Sequence, residues 1–243
     1  RKLFKCLCQH VNSMLIGGFQ RFSLIDYPGK ICAIVFTQGC NFRCPYCHNP
    51  ELVDPKLFAH PIPKADIFAF LETRRGKLDA VEITGGEPTL QPDLIDFTKK
   101  IKSLNFLVKL DTNGSNPGIL RELIELNMVD YLAMDVKAPL ERYQEITKSN
   151  IGQAKIKDSI ELIMHAGLDY EFRTTVVKSQ LGKTDILAIG KQIRGSKRYV
   201  LQKFVPETVL DQEILDGVLI YTDEDLECLR DAVKSYVAEC LVR

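Results

Sequence analysis

The 243-residue chain balances 32 Lys and Arg against 32 Asp and Glu, a formal net charge of zero that excludes a nucleic acid or an anionic membrane as a partner held by bulk charge. With 45% hydrophobic and 26% charged residues its composition is that of a soluble globular protein with room for one full core. No apolar run reaches the ~20 residues of a membrane span.

The first segment, Arg1 to Ser13, is read as an extension outside the fold and a candidate for disorder. Its Cys6 and Cys8 form a C-x-C pair with no third ligand nearby. The basic start RKLFKCLCQH lacks the apolar core of a signal peptide, so the eight cysteines are expected in a reducing, cytoplasmic setting and not as a disulfide scaffold. From Ile31 to Thr37 an apolar run predicts a buried strand. Five more such runs follow: Ala80 to Thr84, Leu107 to Asp111, Tyr131 to Val136, Tyr170 to Val177 and Tyr199 to Val205. Each ends in polar or Gly/Pro punctuation.

Between them the apolar residues fall at helical spacing. Leu94, Phe97, Thr98, Ile101 and Leu104 share one face, as do Leu120, Leu123 and Ile124 after Pro117. Ile160, Ile163 and Met164 precede a Gly167 stop, and Ile186, Ile189 and Ile193 precede Gly195. A last helix is predicted to open at Thr222-Asp223-Glu224-Asp225 and to carry a stripe from Leu226 and Leu229 through Val233 and Val237 to Cys240 and Leu241. Six strand–helix alternations predict an α/β fold of parallel strands with crossover helices. Periodicity leaves open whether these form a partial barrel or an open doubly wound sheet.

The first strand delivers Cys40-Asn41-Phe42-Arg43-Cys44-Pro45-Tyr46-Cys47, three thiols spaced C-x₃-C-x₂-C on one loop. Thiolates are soft ligands for iron–sulfur clusters or zinc. A Cys₃His zinc site would recruit His48, yet His48 directly follows Cys47 and turns back onto the same ion with difficulty. A cluster held by three thiols keeps one iron open to a small molecule.

This loop, with an aromatic residue before its last cysteine, resembles the signature of radical S-adenosylmethionine (SAM) enzymes. The run GGFQRFSLIDYPGKICAIVFTQGCNFRCPYCHNPEL, Gly17 to Leu52, resembles the activases of glycyl-radical enzymes, most of all those of anaerobic ribonucleoside-triphosphate reductase. The resemblance implies a (β/α)₆ partial barrel of parallel strands, open on one side, over a radical SAM domain of residues 14–243. It implies a [4Fe–4S] cluster on Cys40, Cys44 and Cys47 that cleaves SAM reductively, and hydrogen abstraction from a glycine of a partner enzyme. Reduced flavodoxin or ferredoxin is the implied electron donor.

Residue by residue, the resemblance places SAM against Tyr46, Asn49, Thr84, Gly85, Gly86, Glu87, Asp111, Asn113 and Arg173. Glu87 is expected to orient the Gly-Gly-Glu-Pro turn. For Asp111-Thr112-Asn113-Gly114 a plain Asn-Gly turn is the alternative. For Arg173, a charge inside an apolar strand, the alternative is a pair with Asp135. His48 is expected in a hydrogen bond toward cluster or SAM, and Asp135 and Lys137 at the active-site rim or paired with each other. Asp26 is the candidate catalytic residue, contacting the partner's glycine loop. Cys32, Cys228 and Cys240 are expected to be bystanders. Two rival functions stand beside this one: a small-molecule radical SAM enzyme of the 7-carboxy-7-deazaguanine synthase type, and a non-enzymatic zinc-binding protein.

Overall fold

The computed structural model describes residues 13–243, so the expected extension, with Cys6 and Cys8, falls almost wholly outside it. The described chain divides into two compact units. The first holds residues up to Cys40, Glu51–Asp111 and Ile119–Tyr131, and the second holds Asn41–Pro50, Thr112–Gly118 and Leu132–Arg243.

In the first unit β1 (Ile16–Ser23) runs antiparallel to β2 (Cys32–Thr37), and β2 pairs in parallel with β3 (Ala80–Gly85), as β3 does with β4 (Leu107–Thr112). Helices α1 (Pro50–Val53), α2 (Lys64–Glu72), α3 (Leu94–Ser103) and α4 (Pro117–Glu125) intervene. Cys32, Ala33, Ile34 and Val35 are all buried, as a strand covered on both faces requires. On α3 the buried face is Leu94, Phe97, Thr98 and Ile101, with Asp96 in its first turn and Lys100 and Lys102 in its last, the polarity that suits the helix dipole. Register sets Ile34 against Glu82 and Glu82 against Lys109, which stacks charged side chains inside an apolar sheet.

The second unit carries β5 (Tyr131–Asp135), α5 (Tyr143–Thr147), α6 (Gln153–Met164), β6 (Asp169–Val176), α7 (Lys183–Gln192), β7 (Arg198–Lys203), α8 (Asp223–Val233) and β8 (Glu239–Val242). Its strands lie in chain order, with β6–β7 and β7–β8 parallel. The six strands expected from the sequence are β2 to β7, and the α/β class with mostly parallel strands is the one observed.

One expectation is corrected. The last helix opens at Thr222 as predicted, with a reciprocal capping box to Asp225, but it ends at Val233. Cys240 and Leu241 lie on β8, not on a helical stripe. The chain is drawn there by backbone bonds from Gly195 N to Tyr236 O and from Ala238 N to Ser196 O, and by the Arg198–Glu239 ion pair at 2.6 Å. Tertiary pairing along β7 outweighs the local helical spacing.

Candidate active site

In the first unit, the glycine turn and the entrance to the cysteine loop are one hydrogen-bonded piece of backbone. Gly86 N donates to Thr37 O and Glu87 N to Gly39 O, both at 2.8 Å, while Gly39 N donates to Leu52 O at 2.8 Å. A Cβ on Gly86 would lie 2.2 Å from Gly39 O, so no side chain fits there. Gly85 has φ +111° and its Cβ would meet the Thr37 backbone at 2.5 Å. Glu87 is fully buried and its Oε1 accepts from Thr89 N at 3.1 Å and Thr89 Oγ1 at 2.5 Å, so it orients the turn as expected. Cys40 follows Gly39 directly and is half-buried.

Thr84 and Asp111 stand side by side, Thr84 Oγ1 donating to Asp111 Oδ2 at 3.4 Å. Behind them lies a group the sequence reading did not single out. Lys109 Nζ is 2.5 Å from Asp111 Oδ1 and 3.0 Å from Glu82 Oε1, and all three side chains are buried. Burial, with Asp111 adding repulsion and Lys109 offsetting it in part, pushes the Glu82 carboxyl up to about 9. A signal was present in Val81-Glu82-Ile83 and Val108-Lys109-Leu110, opposite charges each flanked by apolar strand residues.

In the second unit, the rest of the cysteine loop is braced on several sides. Cys47 N donates to Cys44 O at 3.0 Å, closing a turn around Tyr46, and Arg43 N donates to Thr147 O of α5 at 2.8 Å. Phe42 is buried with its ring edge-on to Tyr143 at 6.2 Å. Burial pushes the Cys44 thiol up to about 11, Lys137 opposing and Cys47 adding to the rise, so a bound metal must displace its proton. Tyr46 is buried beside Cys44.

His48 does not face the thiols. Its Nε2 donates to Val205 O at 2.8 Å and its ring stacks on Phe204 at 5.3 Å. That corrects the expected bond toward cluster or SAM, because the β7 exit offers both an acceptor and a flat ring. Asn49 is half-buried ahead of α1.

The Asp-Thr-Asn-Gly segment forms the turn its sequence allows. Thr112 Oγ1 accepts from Gly114 N and Asn113 Oδ1 from Ser115 N, and Gly114 has φ +74°. Asn113 Nδ2 also donates to Asn41 Oδ1 at 3.0 Å, which ties the turn to the cysteine loop. Arg173 Nε donates to Asp135 Oδ1 at 2.9 Å, and Lys137 Nζ to Asp135 Oδ2 at 2.8 Å, so the alternative pair is formed. Burial alone would raise the Asp135 carboxyl, but Arg173 and Lys137 outweigh it and hold it well below the usual range. Asp26, in the first unit, accepts from the Ser23 hydroxyl beside exposed Leu24 and Ile25.

Among the described residues, no three His, Cys, Asp or Glu side chains converge as ligands of a single metal ion. With His48 turned to Val205, the Cys₃His zinc set is not assembled. Thiols that each take a different iron of a cluster have no need to converge on one point. Cys40, Cys44 and Cys47 are free of disulfides, and their chemistry fits a cluster with three protein ligands.

Residues 34–182 match the family model described as the radical SAM superfamily. The chain is 34% identical, over 94% of its length and 95% of the relative's, to a protein of Methanocaldococcus jannaschii named as a glycyl-radical enzyme activating enzyme. It is 28% identical to the pyruvate formate-lyase-activating enzyme of Clostridium pasteurianum, over 93% of this chain and 98% of that one. Among solved structures, Streptococcus suis SuiB bound to S-adenosylmethionine superposes with a TM-score of 0.62 at 15% identity, covering 83% of this chain and 48% of its own. That likeness is one of fold.

Proposed function

The chain belongs to the radical SAM superfamily, and from that premise we propose that it is a glycyl-radical activase that takes hydrogen from a glycine of a partner enzyme. The superfamily works with a [4Fe–4S] cluster and SAM. Held by Cys40, Cys44 and Cys47, the cluster would supply one-electron reduction of bound SAM and so the radical chemistry needed to take a glycine hydrogen.

The protein's part is placement and exclusion of water. Cys40, Cys44 and Cys47 hold the cluster, each giving up its proton to do so. The Gly85-Gly86-Glu87-Pro88 turn offers backbone carbonyls to the SAM amine, with Glu87 fixing its shape. Thr84, Asp111, Asn113, Asn49 and Tyr46 line the nucleoside. Arg173, paired through Nε with Asp135, is the residue for a ligand carboxylate or ribose. Asp26, on the hairpin between β1 and β2, meets the partner's glycine loop. Residues 14–243 act as one catalytic domain, in the cytoplasm, with reduced flavodoxin or ferredoxin as donor.

The support that carries this reading is the bond between Glu87 N and Gly39 O, which fastens the glycine turn to the residue ahead of Cys40. Two features of separate sequence motifs thereby become one backbone platform. The relative of M. jannaschii supports the activase over a small-molecule enzyme, and the partner proposed first is anaerobic ribonucleoside-triphosphate reductase.

The test is anaerobic reconstitution with iron and sulfide, then reduction with SAM and each candidate partner. About four irons per chain, 5′-deoxyadenosine release and a glycyl radical signal on the reductase are expected. Cys40→Ser, Cys44→Ser, Cys47→Ser and Gly86→Ala should each abolish all nucleoside release. A radical on pyruvate formate-lyase alone moves the partner. Turnover of a free pterin, or about one zinc with no iron, overturns the activase.

A further inference from the structure

The cysteine loop is fastened by a segment that no part of the proposed chemistry uses. Between β7 and α8 the chain runs from Phe204 to Tyr221 without a strand or an α-helix, and its first eight residues touch the loop four times. Val205 O accepts from His48, and the Phe204 ring lies under the imidazole. Leu210 N donates to Cys47 O at 2.9 Å, and Asp211 N donates to Pro45 O at 3.0 Å.

Phe204 and Val209 are buried, at 1% and 2% exposure, so these contacts are made from a packed base. Beyond them the segment is held again. Gln212 Nε2 donates to Val209 O at 2.7 Å, the Asp211 carboxylate takes Glu213 N at 3.1 Å, and Tyr221 Oη donates to Leu181 O at 2.9 Å.

A loop of eight residues has many conformations to lose before its thiols meet a cluster, and each residue fixed beforehand removes about 1–2 kcal/mol of that cost. The two carbonyls that Leu210 and Asp211 engage flank Tyr46, at the last two thiols' own turn. His48 adds a side-chain anchor one residue past Cys47. It is solvent-exposed, so it contributes little to the core, and its contacts all lead to the segment behind it.

We propose that the Phe204–Asp211 strap, gripped through His48, is the positioning element that holds the cysteine loop in its cluster-ready shape. His48 is thus a positioning residue for Cys44 and Cys47 and not a ligand. The inference rests on the cluster reading given above, and it extends that reading to the Phe204–Asp211 segment.

The experiment measures how fast the reconstituted chain loses iron to an excess of a ferrous chelator under nitrogen, followed by the visible absorbance of the cluster. It is run on wild type, His48→Ala, His48→Phe and Phe204→Leu. His48→Ala should lose iron on the order of ten-fold faster, the scale expected when a group orienting a metal ligand is removed. His48→Phe keeps the stack without the hydrogen bond and should fall between, as should Phe204→Leu, which keeps the buried volume.

Two further readouts separate positioning from bulk stability. The thermal midpoint of the apo chain should be unchanged in His48→Ala, and the electron paramagnetic resonance signal of its reduced cluster should broaden relative to wild type. Wild-type loss rates in His48→Ala overturn the proposal, as does a faster loss that only parallels a fall in apo-chain stability. A wild-type chain that takes up no iron overturns the cluster reading as well, a different result from variants that load and hold iron normally.

Discussion

Each unit of the chain buries a trio of charged side chains, and the two trios resolve their charge in opposite ways. In the first, Lys109 stands between Glu82 and Asp111, one cation for two carboxylates. In the second, Asp135 stands between Lys137 and Arg173, one carboxylate for two cations. Burial, with repulsion from Asp111 and a partial offset from Lys109, lifts Glu82 to about 9 from an ordinary value near 4.5. Asp135, paired with both Lys137 and Arg173, keeps its charge at all moderate pH.

The largest way to break this contrast is Lys109→Met. It removes the buried cation that Glu82 and Asp111 share, and the expected loss is about 3–5 kcal/mol in urea unfolding at pH 7. Arg173→Met should cost less, about 2 kcal/mol, because Asp135 keeps Lys137 and is about a quarter exposed, at 27% of its side chain. Equal losses for the two variants would erase the distinction.

The smallest expected effect is the sharpest. Glu82→Gln replaces one neutral group with another at pH 6 and should change stability by less than about 1 kcal/mol. It should also remove a pH dependence. Because the folded carboxyl holds its proton more tightly than the unfolded one, its stabilisation is complete below pH 4.5 and is lost as pH climbs toward about 9. Asp135 has the reverse sign, since its lowered folded value gives stability above about 3.8 that is lost as pH falls below it. Urea midpoints at pH 5.5 and 8.5 should therefore differ in wild type and converge in Glu82→Gln. A wild-type midpoint that rises with pH over that interval would contradict the assignment.

How much of this was legible beforehand follows from what each signal depends on. Strands β2 to β7 are continuous apolar runs, and such runs declare themselves without knowledge of partners. β1 does not, because Ile16-Gly17-Gly18-Phe19-Gln20 has little apolar content and becomes a strand only by pairing with β2. β8 was masked by Val233 and Val237, whose four-residue spacing continues the helical stripe until backbone bonds to the β7 side end it. The cysteine loop and the glycine turn were both readable as motifs, but not the bond from Glu87 N to Gly39 O that joins them. The Lys109 trio escaped because Glu82 and Lys109 are 27 residues apart and meet only through register. Arg173 illustrates a choice the sequence posed and could not make, since Asp135 becomes its partner only across neighbouring strands.

The clasp of His48 on Val205 spans 157 positions of the chain. A ribosome that has just delivered the three thiols has therefore yet to make the residues that will steady them. Iron offered to the nascent chain would meet a slack, unfinished claw.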